Sequence, residues 1–250
     1  MKFSIITVTY NSATTLKDTI NSVLNQTYKD YEYIIVDGKS NDTTIKIIKE
    51  YEPKFKGRMR WISEPDKGLY DAMNKGFKMA EGEVIMIINS DDIICKNEAL
   101  QIIANKFKEN PYIDAIYANL YYVSKNNTNK IIRAWTSGTQ KEFKKGWLPA
   151  HPTFYAKRSV YLKYGYFNTN FKLAADFELM LRFIEKYKIS LLYLNEYLVK
   201  MRLGGETSKN IINIFKQNLE CMRAFKENNL DCSILYPFYR LLPKVKQFFL

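Results

Sequence analysis

Apolar and polar residues alternate in two different rhythms along the first half of the chain. Short apolar runs bounded by polar residues predict strands, whereas apolar residues that recur every three or four positions predict helices. The predicted strands are Ser4–Thr9, Tyr31–Val36, Arg60–Ser63 and Val84–Ile88, and the predicted helices are Leu16–Leu24, a segment through Ile45, Ile48 and Tyr51, and Gly68–Ala80. Because parallel strands need crossover connections, this alternation predicts an α/β fold with a mostly parallel sheet and helices on both faces.

The second half of the chain has a less regular pattern. The predicted elements there are strands at Asp114–Val123, Lys130–Trp135 and Thr153–Tyr155, and helices at Ala175–Tyr187, Ser208–Asn228 and near Asn97. We therefore expect one α/β domain at residues 1–207 and a helical C-terminal extension at residues 208–250.

The composition is that of a folded protein, with 46% hydrophobic and 26% charged residues. Three cysteines, an odd number, lie far apart without close spacing, so neither a disulfide framework nor a zinc site is indicated, and a reducing compartment is expected. No run approaches the roughly 20 apolar residues of a membrane-spanning helix, and no leader pattern follows Met1. We expect a cytoplasmic protein that is neither exported nor membrane-spanning.

Positive charge is concentrated in the later part of the chain. Residues 1–92 contain 13 Lys and Arg against 14 Asp and Glu, whereas the remainder contains 25 against 12. This asymmetry favours an anionic partner on the later part, such as a phospholipid surface, a pyrophosphate-bearing acceptor or nucleic acid. A lysine-rich surface without a specific partner is the alternative.

Polar residues follow each predicted strand of the first half. In open α/β sheets, ligands bind outside the carboxyl ends of the strands. The residues selected by this rule are Thr9, Tyr10 and Asn11, then Asp37 and Gly38, then Asp66, and finally Asn89, Ser90, Asp91 and Asp92. We expect these side chains to share one edge of the sheet.

Two adjacent acids, Asp91 and Asp92, follow the buried run VIMII. One interpretation is that Asn89, Ser90 or Asp91 caps the next helix. The other is a metal site, because clustered carboxylates repel one another unless a cation neutralises them. Mg²⁺ and Mn²⁺ prefer oxygen ligands and commonly combine one or two carboxylates with substrate phosphates.

Five segments in this order resemble the motifs of family 2 glycosyltransferases, which are inverting enzymes with the GT-A fold. The segments are VTYNS at 8–12, VDGKSNDTT at 36–44, EPDKGLYDAMNKG at 64–76, INSDD at 88–92 and AADFELMLRF at 174–183. The resemblance spans roughly Lys2 to Ser208. It implies a Rossmann-like GT-A domain that uses Mn²⁺ or Mg²⁺ and transfers a sugar from a nucleoside diphosphate, with UDP expected, to a hydroxyl of a lipid-linked or growing surface glycan.

The resemblance also implies roles for single residues. The expected donor-binding residues are Thr9, Tyr10, Asn11, Asp37, Asp66, Gly68, Asn74, Asn89, Ser90, Asp91 and Arg202. Asp37 is expected to accept a hydrogen bond from a uracil ring nitrogen, and Asp42 is interpreted as a helix cap. Asn89 replaces the first acid of the family's Asp-x-Asp motif, so Asp91, with Asp92 beside it, is the expected metal ligand. Gly204 and Gly205 indicate a mobile loop that closes over the donor.

Asp176 matches the acid that opens the acceptor-side helix of similar enzymes, which makes it the expected general base. It would remove the proton of the acceptor hydroxyl as that oxygen attacks the anomeric carbon. The alternative is that Asp176 only caps its helix and that Glu178 is solvated. His151, the single histidine, and Trp147 are expected on the acceptor side.

Basic and aromatic residues occur together in the later part of the chain. Residues 130–163 contain eight Lys and Arg against one acid, and the tail adds Tyr236, Phe238, Tyr239, Phe248 and Phe249. This mixture suits an anionic membrane interface, so peripheral attachment to the cytoplasmic face and a polyprenyl-diphosphate-linked acceptor are expected, without nucleic acid as a partner. The alternative is that the C-terminal helices pack on the domain.

Two other functions remain open from the sequence. A nucleotidyltransferase or sugar-nucleotide hydrolase would use the same fold, although no glycine-rich phosphate loop follows the first strand. A non-catalytic basic module at a membrane or on nucleic acid would explain the charge of the later part, but it would leave the first 92 residues without a role.

Overall fold

The computed structural model describes residues 1–204 and 211–240. The strands are β1 (Phe3–Thr9), β2 (Tyr31–Asp37), β3 (Met59–Ser63), β4 (Val84–Ile87), β5 (Ile93–Ile94), β6 (Ala115–Val123), β7 (Ile131–Trp135), β8 (Phe154–Lys157) and β9 (Leu191–Arg202). The helices are α1 (Leu16–Leu24), α2 (Thr44–Tyr51), α3 (Leu69–Met79), α4 (Ala99–Glu109), α5 (Arg158–Tyr164), α6 (Ala175–Leu181) and α7 (Ile211–Glu227). Short 3₁₀ turns occur at Glu52–Phe55, Phe143–Lys145 and His151–Thr153.

The first four strands form the parallel half of the sheet, in the order β3-β2-β1-β4. Thr9 pairs with Asp37, and Asp37 pairs with Ser63, so the three strands end in register at one edge. The predicted α/β class, the crossover helices and the gathering of the strand ends are confirmed.

The second half of the sheet is mixed. β8 runs antiparallel to both β4 and β6, while β9 is parallel to β6 and antiparallel to β5. β7 pairs with β6 outside this path. The strand predicted at Thr153–Tyr155 begins one residue later, because residues 151–153 form a 3₁₀ turn. β5 and β9 had not been predicted.

Hydrophobic clusters cover both faces of the sheet, as expected. On β1, Phe3 and Ile5 belong to the cluster under α1, α2 and α4, whereas Ile6 and Val8 belong to the cluster under α3, α5 and α6. This two-residue alternation is the geometry of a strand with a helix layer on each face. The ends of the strands are themselves buried, and the loops that follow them, with exposed residues such as Tyr10, form the accessible edge.

The helix predicted at Ala175–Tyr187 has two parts. α6 ends at Leu181, and the next turn, Arg182–Lys186, is a π-helix. Glu178, expected to be solvated if Asp176 were only a cap, is instead buried and pairs with Arg182 at 2.9 Å. The guanidinium of Arg182 also donates to the carbonyl oxygens of Tyr164 and Tyr166, which anchors α6 to the end of α5.

The described part of the C-terminal segment packs on the domain. Phe225 of α7 and Tyr236 join the core cluster with Phe177 of α6. The rings of Phe225 and Tyr236 pack edge to face, with their centroids 5.1 Å apart. A side chain at Gly146 would overlap the carbonyl oxygen of Tyr239, so residues 236–240 lie directly against that loop. The predicted boundary at 207/208 and the tail residues Phe248 and Phe249 lie outside the described residues.

No helix within residues 1–204 and 211–240 is long and apolar enough to cross a membrane.

Candidate active site

The ends of β1, β2 and β3 are joined by main-chain hydrogen bonds. The amide of Gly38 donates to the carbonyl oxygen of Thr9 at 2.9 Å, and the amide of Glu64 donates to that of Asp37 at 3.0 Å. These bonds bring the loops after the three strands into one cleft at the predicted edge.

Asp37 is completely buried at the end of β2. Its carboxylate accepts hydrogen bonds from the amide of Ser40 at 2.9 Å and the hydroxyl of Ser63 at 2.7 Å, and from the Ser40 hydroxyl. Nearby Thr9 is also buried, and its hydroxyl has no partner among the described residues. Asp37 therefore orders its own loop, and its expected contact with a nucleobase stays a prediction.

Tyr10, Gly38 and Asp66 lie together where the loops after β1, β2 and β3 meet. A Cβ atom on Gly38 would overlap Oδ2 of Asp66 and would lie 3.5 Å from the Tyr10 ring. Asp66 also accepts a hydrogen bond of 2.8 Å from the amide of Gly68, which has a φ of +119° at the start of α3. The Asp66 carboxylate thus covers the backbone of Gly38, beside Tyr10, which is 62% exposed.

Two asparagines proposed for donor binding are used differently. Asn11 has a φ of +48°, and its Oδ1 accepts a hydrogen bond of 3.0 Å from the amide of Asn41 at the cleft edge. Asn74 binds the main chain of Phe167 in both directions, donating at 2.9 Å and accepting at 3.0 Å. The amide of Asn74 therefore fixes the segment before α6, which is a structural role that the donor-binding prediction did not include.

Asp42 lies where a cap was expected, and it also joins two loops. Its carboxylate accepts hydrogen bonds from the amide of Thr44, at the start of α2, at 2.9 Å and from the amide of Ala13 at 3.2 Å. These hydrogen bonds lower the pKa of Asp42 against the opposing effect of burial.

The residues after β4 do not cap a helix. Asn89 to Asp92 lead into β5, and α4 begins only at Ala99, so the helix-cap interpretation was wrong. Ser90 donates to the hydroxyl of Ser12 at 3.0 Å, which connects this turn to the loop after β1. Asn89 donates to Oδ2 of Asp92 at 3.0 Å.

The two adjacent acids are electrostatically strained. Burial raises the pKa of Asp92 well above its usual range, and the charge of Asp91 raises it further. Burial also raises the pKa of Asp91, while Arg202 lowers it. Both effects arise because a buried carboxylate loses its hydration and repels its neighbour.

The donor set fits a divalent cation. Oδ1 of Asp92 and Oδ1 of Asn89 have no hydrogen-bond partner within the described residues, so buried oxygen acceptors are available. No group of three or more His, Cys, Asp or Glu suited to a metal occurs in that part of the chain. A cation held here would therefore rely on Asp91 and Asp92 together with non-protein oxygens such as phosphates.

Arg202 lies beside these acids, at the end of β9. Its guanidinium donates to the carbonyl oxygen of Asp91 at 2.6 Å and forms an ion pair with Asp18 of α1. The side chain is buried, so it fixes the backbone of the acidic turn, and its expected contact with diphosphate stays a prediction. Of the expected mobile loop, Gly204 has a φ of +109°, whereas Gly205 lies outside the described residues.

Asp176 lies in the first turn of α6, two residues after the cap position at Ala174, so it is not the helix cap. The hydroxyl of Tyr70, on α3, donates to its carboxylate at 3.1 Å. Burial raises the pKa of Tyr70 well above 10, and the charge of Asp176 raises it further. Tyr70 therefore stays a protonated donor to Asp176.

His151 is near the same acid. Its ring packs edge-on against Phe167 with the centroids 5.8 Å apart. Burial lowers the pKa of His151, and the charge of Asp176 acts in the opposite direction. A neutral imidazole beside Asp176 is the result.

Trp147 is not at the acceptor surface. It is buried, its indole N–H donates to the carbonyl oxygen of Ser137 at 2.8 Å, and it packs on Tyr117 and Phe143. The structure corrects this expectation, because Trp147 belongs to the core. The same correction applies to Tyr236, which was expected in a membrane-facing tail.

Tyr122, on β6, is a second phenol whose acidity these acids affect. Burial raises its pKa, Arg133 lowers it, and the charges of Asp92 and Asp176 raise it further. Neither Tyr70 nor Tyr122 was predicted as a site residue.

The comparison with known families identifies the family of this chain. Residues 4–170 match the sequence model of the family described as "Glycosyl transferase family 2". The matched stretch contains β1 to β8 and the acidic turn, while α6, α7 and β9 lie beyond it.

Several curated proteins are similar over most of the chain. A "PGL/p-HBAD biosynthesis glycosyltransferase" of Mycobacterium tuberculosis is 26% identical over 246 residues, covering 97% of this chain and 91% of that protein. An uncharacterized glycosyltransferase of Methanocaldococcus jannaschii is 29% identical over 209 residues, covering 80% of this chain and 70% of that protein.

Solved structures share the fold. S. aureus TarS in complex with UDP-GlcNAc superposes with a TM-score of 0.68 at 21% identity, covering 100% of this chain and 73% of that one. A mannosyltransferase from Pyrobaculum calidifontis in complex with GDP-Man and Mn²⁺ gives a TM-score of 0.66 at 16% identity, covering 99% of this chain and 70% of that one. At these identities the likeness establishes the GT-A type of fold.

Proposed function

The chain belongs to glycosyl transferase family 2, and on this basis we propose that it transfers a sugar, with inversion, from a UDP-sugar to a hydroxyl of a lipid-linked or growing surface glycan. The observation that carries the proposal is the acidic turn after β4: Ser90 joins it to the loop after β1 by a hydrogen bond of 3.0 Å to Ser12, and Oδ1 of Asp92 is buried without a partner among the described residues. An acid pair for a metal-bound diphosphate and a separate acid for the acceptor, here Asp176, are the two parts that such a transfer needs.

The donor half of the proposal rests on the edge formed by β1, β2 and β3. The exposed ring of Tyr10 offers a surface for a nucleobase, with the Asp66 carboxylate fixed against Gly38 beside it. Asp37, at the end of β2, is the proposed acceptor for the uracil N–H. UDP and UDP-GlcNAc are bound in the TarS structures, whereas the mannosyltransferase binds GDP-Man. The choice of uridine as the nucleoside for this chain is therefore part of the proposal.

Asp91 and Asp92 are the proposed holders of Mn²⁺ or Mg²⁺, which when bound would neutralise negative charge on the departing diphosphate. The chain prepares this position by itself in two ways. Arg202 holds the carbonyl oxygen of Asp91, and Thr19 donates to the carbonyl oxygen of Asp92 at 2.7 Å. The turn is thereby fixed before any ligand arrives.

Asp176 is the proposed general base. It would take the proton of the acceptor hydroxyl while that oxygen bonds to the anomeric carbon and the bond from that carbon to the diphosphate oxygen breaks. A single displacement of this kind inverts the anomeric centre. Tyr70 orients the carboxylate, and neutral His151 adds no competing positive charge beside it.

Membrane attachment is proposed through an apolar surface on the C-terminal segment. We call it the α7 apolar surface; its exposed members are Ile212, Phe215, Leu219, Ile234, Leu235 and Phe238. The spacing of Ile212, Phe215 and Leu219 puts them on one side of α7, and the exposed Lys216 and Lys226 lie on the same helix. Apolar side chains flanked by lysines suit the headgroup region of an anionic bilayer.

The decisive experiment measures UDP binding and sugar transfer separately. UDP is titrated into the full chain with and without Mn²⁺, and a panel of nucleotide sugars is screened for release of nucleoside diphosphate. We expect Mn²⁺ to strengthen UDP binding, and Asp91→Ala to abolish this effect, with Asp231→Ala, at an exposed acid after α7, as the control.

The products separate the competing functions. Release of nucleoside diphosphate that rises with a glycan or lipid acceptor supports the transferase. Release of a nucleoside monophosphate would indicate a hydrolase or nucleotidyltransferase instead. Absence of UDP binding under all conditions would favour a non-catalytic module.

A further inference from the structure

The segment immediately before α6 is held by a single carboxylate from α7. Glu220 accepts hydrogen bonds from three successive main-chain amides, those of Lys172 at 3.0 Å, Leu173 at 2.8 Å and Ala174 at 2.9 Å. Successive amides that converge in this way form an anion-binding concavity. Here the anion is the side chain of another helix.

Two further side chains of α7 grip the same segment. Gln217 donates to the carbonyl oxygen of Leu173 at 3.2 Å, and Arg223 donates to that of Asn170 at 2.9 Å. Gln217, Glu220 and Arg223 are spaced by three residues, so they lie along one side of α7. Their targets extend over residues 170–174 and end two residues before Asp176.

The cap position of α6 makes no side-chain hydrogen bond. Its residue is Ala174, which has no side chain able to bind the free amides of the first turn. The first turn is fixed by the core packing of Phe177, by the bond from Tyr70 to Asp176 and by whatever holds the main chain at residues 172–174. Among the described residues, the side chain of Glu220 binds all three of these amides.

Glu220 also acts on the acid's hydrogen-bond donor. Its charge is among the causes that raise the pKa of Tyr70, so the carboxylate lies within electrostatic reach of the Tyr70–Asp176 pair. The hydrogen bonds to the three amides and this charge effect both indicate that Glu220 of α7 lies close to the start of α6. The family match ends at residue 170, so this support comes from outside the matched stretch.

We propose that Glu220 is a positioning residue for the transfer reaction: by binding the amides of residues 172–174, it sets the orientation of α6 and of the Asp176 carboxylate. The inference rests on the proposed function of Asp176 as the base. It assigns α7 a role in turnover in addition to the proposed membrane contact, on a side of the helix defined by Gln217, Glu220 and Arg223.

The test compares Glu220→Ala and Glu220→Gln with Asp231→Asn, which removes a negative charge from the exposed segment after the same helix. Hydrogen–deuterium exchange reports on the amides of residues 172–174. Release of UDP from the best donor of the UDP-sugar panel gives kcat and KM, and calorimetry gives the affinity for UDP with Mn²⁺. All variants are made in the full chain.

We expect exchange at residues 172–174 to rise at least tenfold in Glu220→Ala, and kcat to fall by about 10- to 100-fold, because small displacements of a reacting group cost that much. KM and UDP affinity should stay within about twofold, because the donor edge is untouched. Glu220→Gln keeps one acceptor oxygen and should give intermediate values, whereas Asp231→Asn should match the wild type.

Two results would count against the proposal in different ways. A Glu220→Ala chain with faster exchange at 172–174 but wild-type kcat would overturn this inference and leave the proposed function intact. A wild-type chain that releases no nucleoside diphosphate from any donor would overturn the proposed function and this inference with it. If Glu220→Ala loses its fold, Gln217→Ala decides in its place, with the same expected direction and a smaller effect.

Discussion

The hydroxyl of Tyr70 donates a hydrogen bond of 3.1 Å to the carboxylate of Asp176, joining α3 to the first turn of α6 across 106 positions of sequence. Tyr70→Phe removes the hydroxyl that makes this bond and keeps the aromatic ring. Hydrogen bonds to charged groups contribute roughly 1.5–3 kcal/mol, so kcat should fall by about tenfold or more while KM for the donor stays nearly constant. Steady-state kinetics measure both constants. An equal loss in Tyr112→Phe, at a ring that is 93% exposed, would contradict the assignment.

Asp176→Asn should remove the base without disturbing the donor edge. We expect kcat to fall by about 10²- to 10⁴-fold, the usual contribution of a general base, and UDP affinity to stay unchanged. Turnover and calorimetric titration with UDP and Mn²⁺ give the two quantities. Asp231→Asn, an exposed acid in the segment after α7, is the control. Turnover at the wild-type rate in Asp176→Asn would show that another group accepts the proton.

Gly38→Ala should weaken UDP binding, because the new methyl group would overlap Oδ2 of Asp66. Displacing that carboxylate by overpacking costs on the order of 1–3 kcal/mol, which corresponds to about tenfold in affinity or more. The measurement is a double-mutant cycle with Asp66→Ala, using calorimetry. If the effect of Gly38→Ala persists fully in the Asp66→Ala background, the overlap with Asp66 is not its cause.

His151 should make the folded chain less stable in mild acid. Burial lowers its pKa in the folded state, so between its ordinary value of about 6.5 and the lowered value the unfolded chain binds a proton that the folded chain does not. Stability therefore falls as the pH decreases below about 6.5, by at most ~1.4 kcal/mol per pH unit.

Urea unfolding of wild type and His151→Gln between about pH 7 and pH 5 measures this difference. His151 is the single histidine of the sequence, so the His151→Gln variant should lack the fall in the free energy of unfolding that protonation of a histidine causes. If the free energies of unfolding of the two proteins differ by a constant amount across this range, His151 has the same proton affinity in the folded and unfolded states.

The α7 apolar surface should mediate binding to anionic vesicles. Replacing Phe215 and Leu219, which are 64% and 51% exposed, by serine removes apolar area that a bilayer would bury. Each buried side chain contributes about 1.5–3 kcal/mol, so binding to phosphatidylglycerol vesicles should fall at least tenfold. Leu162→Ser, at an exposed leucine on α5, is the control. Equal binding by the double variant in vesicle sedimentation would exclude this surface as the contact.

The parallel half of the fold could be predicted because local patterns there agree with the tertiary structure. β1, β2 and β4 are continuous apolar runs, and the helices between them carry regular apolar spacing, so the elements were found within one or two residues. The rule that ligands bind at the carboxyl ends of strands then selected Tyr10, Asp37, Asp66 and Asp91 together.

The other half depends on contacts that local patterns do not contain. β5 has only two residues, and the apolar sequence of β9 is interrupted by Asn195 and Glu196, so neither was assigned as a strand. Tyr70 was recognised only as part of an apolar helix face, and Glu220 only as one polar residue of α7. Trp147 was misassigned because an aromatic residue among lysines has the same composition whether it faces solvent or the core.

The overlap between Gly146 and residue 239 has a consequence for biosynthesis. The loop at Gly146 fits closely only against backbone that emerges from the ribosome almost one hundred residues later. Residues 4–170 can complete most of the sheet during translation, but Glu220 and Tyr236, which contact the helix carrying Asp176 or the segment before it, are translated only later. Under the proposed function, a nascent chain would therefore form its nucleotide edge before its base is positioned, so that donor capture would precede turnover.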